Sequence, residues 1–138
     1  MSSKINFKII SNDGKVFESK DVSEIKITLL NGEVLGILAN HLPLVGVLGI
    51  SVFSLKMSNN KILKFALSGG IINVKVNSEV VIVSDTFENA SEIDKLRVEA
   101  KIKQYSELID KKEDLSHHER TRLEISLKKA INRISLLK

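Results

Sequence analysis

The sequence predicts an α+β chain: an N-terminal sandwich or barrel of eight to ten short antiparallel β-strands over residues 1–89, then a C-terminal antiparallel hairpin of two helices over residues 90–138. Three observations carry this. Between Ile5 and Val83, apolar residues recur mostly at period two, with clusters of Gly, Asn, Asp and Ser about every 8–12 residues, the pattern of short strands joined by turns. From Asp85 onward, β-branched residues thin out and Glu, Lys, Ala and Leu take over at helical spacing. Third, the twenty-two uncharged residues Val34–Leu55 are interrupted by Gly36, Asn40-His41, Pro43, Gly46 and Gly49. A membrane-spanning helix needs ~20 helix-compatible apolar residues, and Pro43 alone costs a helix interior about 3 kcal/mol. The stretch therefore reads as short buried strands separated by turns.

Taken in order, residues 5–11 form a first strand, Asn12-Asp13-Gly14 a turn, and Lys15 to Lys20 its hairpin partner. Val22, Ile25, Ile27 and Leu29 mark the next strand, which ends at Asn31-Gly32. Gly36 and Pro43 divide the central stretch, and Ile50 to Met57 alternates again up to Ser58-Asn59-Asn60. Lys61 to Leu67 follows, then a turn at Ser68-Gly69-Gly70, then a last hairpin of Ile71–Val76 and Glu79–Val83 around Asn77-Ser78. In the helical part, Ser91 to Asp94 and Ser116 to Glu119 each have the spacing of a capping box, a serine accepting from a free N–H of the first turn. Ile93, Leu96 and Ala100 form one stripe of the first helix, with Val98, Ile102, Tyr105 and Ile109 beside it. Leu123, Leu127, Ala130, Ile131, Ile134 and Leu137 line one face of the second. The short charged segment Lys111 to Leu115 turns one helix back on the other.

Composition removes several function classes. No cysteine is present, so disulfides, thiol nucleophiles and thiolate metal sites are excluded. His41, His117 and His118 are the three histidines, none has a second ligand at metal spacing, and two neighbours on a helix point ~100° apart, so no metal centre is expected. No Ser-His-acid set or phosphate-binding loop can be assembled. An aromatic content of 4% with no basic stripe argues against nucleic-acid binding. The N-terminus MSSKINFKII lacks a signal-peptide pattern, so a cytosolic or cytosol-facing location is expected. All four arginines, Arg97, Arg120, Arg122 and Arg133, fall in the C-terminal part, where their planar forks suit carboxylate or phosphate partners.

Four segments together resemble one family. Gly32-Glu33 leads into Gly36 through Leu44, reading GILANHLPL; Leu67 through Ile71 reads LSGGI; Glu92 through Arg97 reads EIDKLR; and Ala130 through Arg133 reads AINR. Their order and spacing are similar to those of the epsilon subunit of the bacterial F-type ATP synthase, called delta in mitochondria. The departures are one extra residue after Glu33, and Ala39-Asn40 where the family usually has Pro-Gly.

The resemblance implies a ten-stranded β-sandwich and a helical hairpin. It also implies a non-catalytic place in the central stalk, held by the gamma subunit on the ring of c subunits at the cytoplasmic face of the cell membrane. The membrane is met only through the complex. Glu33, His41, Leu42 and Pro43 are then expected to contact gamma or the ring. The hairpin is expected to regulate ATP hydrolysis by reaching the alpha/beta catalytic head. No cofactor is required. Regulatory ATP is implied at an I-D-x-x-R-A motif that Ile93, Asp94 and Arg97 match, with Val98 in place of the alanine. Glu88 stands for an upstream acid, Lys129 and Arg133 for two basic positions, and Gln104 for a basic residue of the ATP binders, so the expected affinity is weak. The competing reading is a free-standing nucleotide-responsive module, which would not co-purify with gamma.

Overall fold

Alternation in the first strand puts Ile5, Phe7 and Ile9 on one side, all three fully buried, as a pleated strand requires. The computed structural model, which describes residues 4–111 and 114–137, carries this pattern through seven strands. They are β1 (Ile5–Ser11), β2 (Val16–Thr28), β3 (Val34–Leu38), β4 (Leu44–Met57), β5 (Ile62–Lys75), β6 (Glu79–Ser84) and β7 (Phe87–Asn89). One 3-10 turn, Ala90–Glu92, precedes α1 (Lys95–Lys111) and α2 (His117–Ser135). Two compact units result, Met1–Asn89 and Ala90–Lys138. None of the described helices is long and apolar enough to cross a membrane.

In the first unit β1 pairs antiparallel with β2 and parallel with β6. β6 pairs with β5, β5 with β4 and β4 with β2, so five strands close on one another, while β3 adds to β2 and β7 to β5. Long strands serve more than one neighbour. β2 meets β1 through Val16–Val22 and β4 from Val22 on, with a register shift in the β2–β4 ladder between Val22 and Glu24, where β3 joins on its other side. Such a bulge bends a strand.

Two features differ from the sequence reading. Seven strands are found among the described residues rather than eight to ten, because Gly46 and Gly49 lie inside β4 and Ser68-Gly69-Gly70 inside β5, whose pairing keeps one register from Leu44↔Val74 to Lys56↔Ile62. The β1–β6 ladder is parallel rather than antiparallel, since these strands are brought together by the closure of the ring and not by a hairpin.

Seventeen buried apolar residues form the core of this unit. All five phenylalanines of the chain meet in it, linked through Phe7–Phe17, Phe7–Phe53, Phe17–Phe65, Phe53–Phe65 and Phe65–Phe87 contacts at 4.9–6.4 Å between centroids. Each fully buried aliphatic or aromatic side chain stabilises the fold by about 1.5–3 kcal/mol relative to exposure.

The helical unit has a small core. Val98, near the start of α1, packs with Ala130 and Ile134 near the end of α2, and Ile93, Ile102 and Leu137 border them. That pairing of beginning with end makes the helices antiparallel. Leu96 is 79% exposed, and Ala100 and Ile131 are exposed too, contrary to the predicted stripes. One helix covers only a narrow stripe of the other. Ser116 caps α2 as predicted, accepting the Glu119 N–H at 3.1 Å. At α1 Asp94 caps the helix: its Oδ1 accepts the Arg97 N–H at 3.1 Å and its carbonyl accepts from Val98 at 3.0 Å. The predicted turn Lys111 to Leu115 includes residues 112 and 113, which lie outside the described residues.

Candidate functional site

Glu33 follows the β2–β3 turn. Its N–H donates to Asn31 Oδ1 at 2.9 Å and its carbonyl accepts from Leu29 at 2.8 Å, which leaves the carboxylate side chain exposed. His41, Leu42 and Pro43 form the link between β3 and β4. His41 Nδ1 donates to the Leu42 carbonyl at 2.7 Å, so the ring is turned back on its own loop, while Leu42 is 80% exposed. The four predicted contact residues thus fall into two groups at opposite ends of β3, on the order of 15–20 Å apart along the strand at 3.4 Å per residue.

The same unit presents an apolar face that the sequence reading did not single out. Val47, Ile71 and Val83 stand opposite one another on β4, β5 and β6, and all three are exposed. Ile10 of β1 continues the row from Val83, and exposed Val16 of β2 continues it from Ile10. Val45, two residues from Val47 and 71% exposed, widens it, and exposed Leu30 borders it, its N–H donating to the Val47 carbonyl at 2.8 Å.

In the helical unit, Asp94 is committed to capping and Ile93 to the edge of the hairpin core. Arg97 is exposed beside buried Val98, while Lys129 and Arg133 are half-buried beside Ala130 and Ile134. Because Val98 packs with those two residues, the backbones of the first turn of α1 and the last turns of α2 lie side by side. Glu88 belongs to the first unit. It sits on β7 opposite Ala66. Among the described residues no group of three His, Cys, Asp or Glu is placed to hold a metal.

A family model described as the beta-sandwich domain of the ATP synthase Delta/Epsilon chain matches residues 4–90. The chain is 35% identical over 138 positions to the ATP synthase epsilon chain of Pediococcus pentosaceus, covering 99% of this chain and 97% of that one. This chain belongs to the ATP synthase delta/epsilon family. The epsilon chain of Desulforamulus reducens is 40% identical over 122 positions, 87% of each chain. The fold agrees with chains of solved ATP synthase complexes. A chain of the Euglena gracilis mitochondrial ATP synthase, solved with OSCP, F1 and c-ring, superposes with a TM-score of 0.84 at 19% identity, covering 100% of this chain and 84% of that one. A chain from the central stalk and c-ring of Tetrahymena thermophila gives 0.63 at 12% identity, covering 99% and 98%.

For this member of the epsilon family, the substitution of asparagine at position 40 has a structural explanation. Asn40 has φ 64°, a left-handed conformation that asparagine tolerates better than most residues with a side chain. The apolar face went unseen because strands covered on both sides read as continuous apolar runs. Val45-Gly46-Val47-Leu48 and Val80 to Val83 are such runs, and their lack of polar alternation was the available signal.

Proposed function

We propose that this chain is a non-catalytic subunit of the central stalk of an F-type ATP synthase, coupling rotation of the c-ring to ATP synthesis or hydrolysis at the catalytic head. It works at the cytoplasmic face of the membrane, as a peripheral part of the complex. Family membership supports this reading, and the observation that carries it is the apolar row Val47, Ile71, Val83, Ile10 and Val16 across five strands. Contiguous exposed apolar patches of several hundred Å2 mark protein contacts, and a stalk subunit needs such a face for gamma. Glu33 and the His41, Leu42 and Pro43 loop are the proposed contacts to ring and gamma.

The test is co-purification with gamma. Ile71→Asp and Val83→Asp place charges in an exposed row, so the isolated subunit keeps its melting temperature while capture by gamma is lost. Wild-type capture by both variants, or no capture of the wild-type chain, overturns the assignment. The latter result favours the free-standing module.

In the same reading, the hairpin regulates hydrolysis by contact with the alpha/beta head, and ATP binds it weakly through Arg97, Lys129 and Arg133, with Ile93 and Asp94 shaping the helix start. Glu88 is included in the ATP site by its family position. A hairpin whose core centres on three buried side chains is held weakly enough for a ligand to bias its state by differential affinity. The dissociation constant is expected near millimolar, on the order of −4 to −6 kcal/mol. Calorimetry with ATP on the wild type, Arg97→Ala and Arg133→Ala decides it. No heat at millimolar ATP, or binding indifferent to both substitutions, removes the nucleotide from the proposal.

A further inference from the structure

The β5–β6 turn and the β3–β4 link are far apart in sequence but joined by one side chain. Ser78 is buried at 9% exposure and holds φ 61° next to Asn77 at φ 62°. Its carbonyl accepts the Asn6 N–H at 2.9 Å, which ties the turn to β1. Its hydroxyl accepts the Asn40 N–H at 2.7 Å and donates to Asn40 Oδ1 at 3.3 Å. A hydroxyl has one hydrogen to give and two lone pairs to receive, so Asn40 engages it in both directions. Asn40 is itself left-handed at φ 64° and immediately precedes His41, Leu42 and Pro43.

We infer that Ser78 is a positioning residue: by clamping Asn40 it sets the direction in which the His41, Leu42 and Pro43 loop leaves β3, and so presents Leu42 to the rotor. The inference rests on the proposed contact between that loop and the ring. Three left-handed residues, Asn40, Asn77 and Ser78, cost backbone strain, and a loop without regular ladder bonds has few other restraints. With the residue only 9% exposed, losing this bond is costly, because water does not readily replace a largely buried partner. The same clamp brings Val76, 64% exposed on the β5–β6 turn, to the same end of the sandwich as Leu42, 80% exposed. The two turns thereby form one apolar tip rather than two independent loops.

Ser78→Gly in the full chain separates this role from general stability, because glycine keeps the left-handed backbone at no steric cost while the CH2OH side chain, and with it the hydroxyl that clamps Asn40, is removed. Amide exchange should show Asn40 losing protection while core amides such as that of Phe65 keep theirs. Association with the gamma and c-ring complex should weaken about tenfold, the size of one neutral hydrogen bond. Ser78→Asn, which tolerates the backbone and restores an acceptor, should recover part of the loss. Unchanged protection of Asn40 in Ser78→Gly overturns the clamp. Unchanged association in Ser78→Gly overturns the positioning role, and Leu42→Asp identifies the fault. If Leu42→Asp abolishes association, the inference alone fails; if it too changes nothing, the proposed loop contact fails with it.

Discussion

Phe53 and Phe65 stand opposite each other on β4 and β5 and stack with ring centroids 4.9 Å apart and planes 5° from parallel. Phe65 also touches Phe17 and Phe87, so it joins strands that pair at different edges of the first unit. Phe65→Ala should cost about 3–5 kcal/mol through lost burial and the cavity left behind. The check is urea denaturation, where the midpoint falls with the slope unchanged. A loss below about 1 kcal/mol would mean that the remaining rings collapse into the space.

Gly70→Ala should be among the most damaging single changes. At φ +150° an added Cβ would stand 2.3 Å from the Val83 carbonyl oxygen and 2.8 Å from Ser84 Cα, both backbone atoms that cannot swing aside. A cost of about 3 kcal/mol or more is expected, read as lost soluble yield or a lowered melting temperature. Gly36→Ala is the control. Nothing lies within 4 Å of its Cβ position, so the change should stay within about 0.5 kcal/mol.

A fragment ending at Asn89 should fold alone. Every described strand lies before that point, and Phe87 of β7, needed to cover Phe65, is retained. Circular dichroism should show a β spectrum and a cooperative thermal transition. An unfolded fragment would mean that the sandwich depends on the hairpin.

Asp13 links the β1–β2 turn to pH. The Ser11 hydroxyl donates to its carboxylate and the Lys15 N–H reaches Oδ1 at 3.3 Å, which holds the carboxyl below the ordinary value of 3.8. A depressed folded value stabilises above the unfolded one and loses that contribution as pH falls through the folded one. The advantage of wild type over Asp13→Asn should therefore be full above about pH 5 and shrink below pH 4. A carboxyl resonance of Asp13 that titrates at or above 3.8 contradicts this.

How far the sequence discloses this fold depends on what each residue does. Asn12-Asp13-Gly14, Asn31-Gly32, Ser58 to Asn60 and Asn77-Ser78 are read correctly as turns, since each combines residues that accept left-handed or hydrogen-bonded turn geometry and lies between apolar alternations. Gly46 and Gly49 have the same outward signature and a different task. A Cβ on either would come within 2.9 Å of Leu29 or Leu30, so they make room for neighbouring side chains inside a long strand. Composition does not distinguish a glycine that turns the chain from one that admits a neighbour. The proposed contact residues and the proposed nucleotide residues Asp94, Arg97 and Arg133 come from the resemblance to the family, whereas the apolar row depends on cross-strand register, which one sequence does not display.

The parallel ladder of β1 with β6 also sets the order of events during synthesis. Asn6 faces Glu79 and Ser11 faces Ser84, so the first strand made waits for the sixth, on the order of 4–15 s at translation rates of about 5–20 residues per second. Until then Ile5, Phe7 and Ile9 can lean only on the local hairpin with β2. Contacts so distant along the chain slow folding, because the loop must close before it is rewarded. The nascent sandwich stays open until the ribosome has released nearly all of its strands, and its last seam is sewn with its first thread.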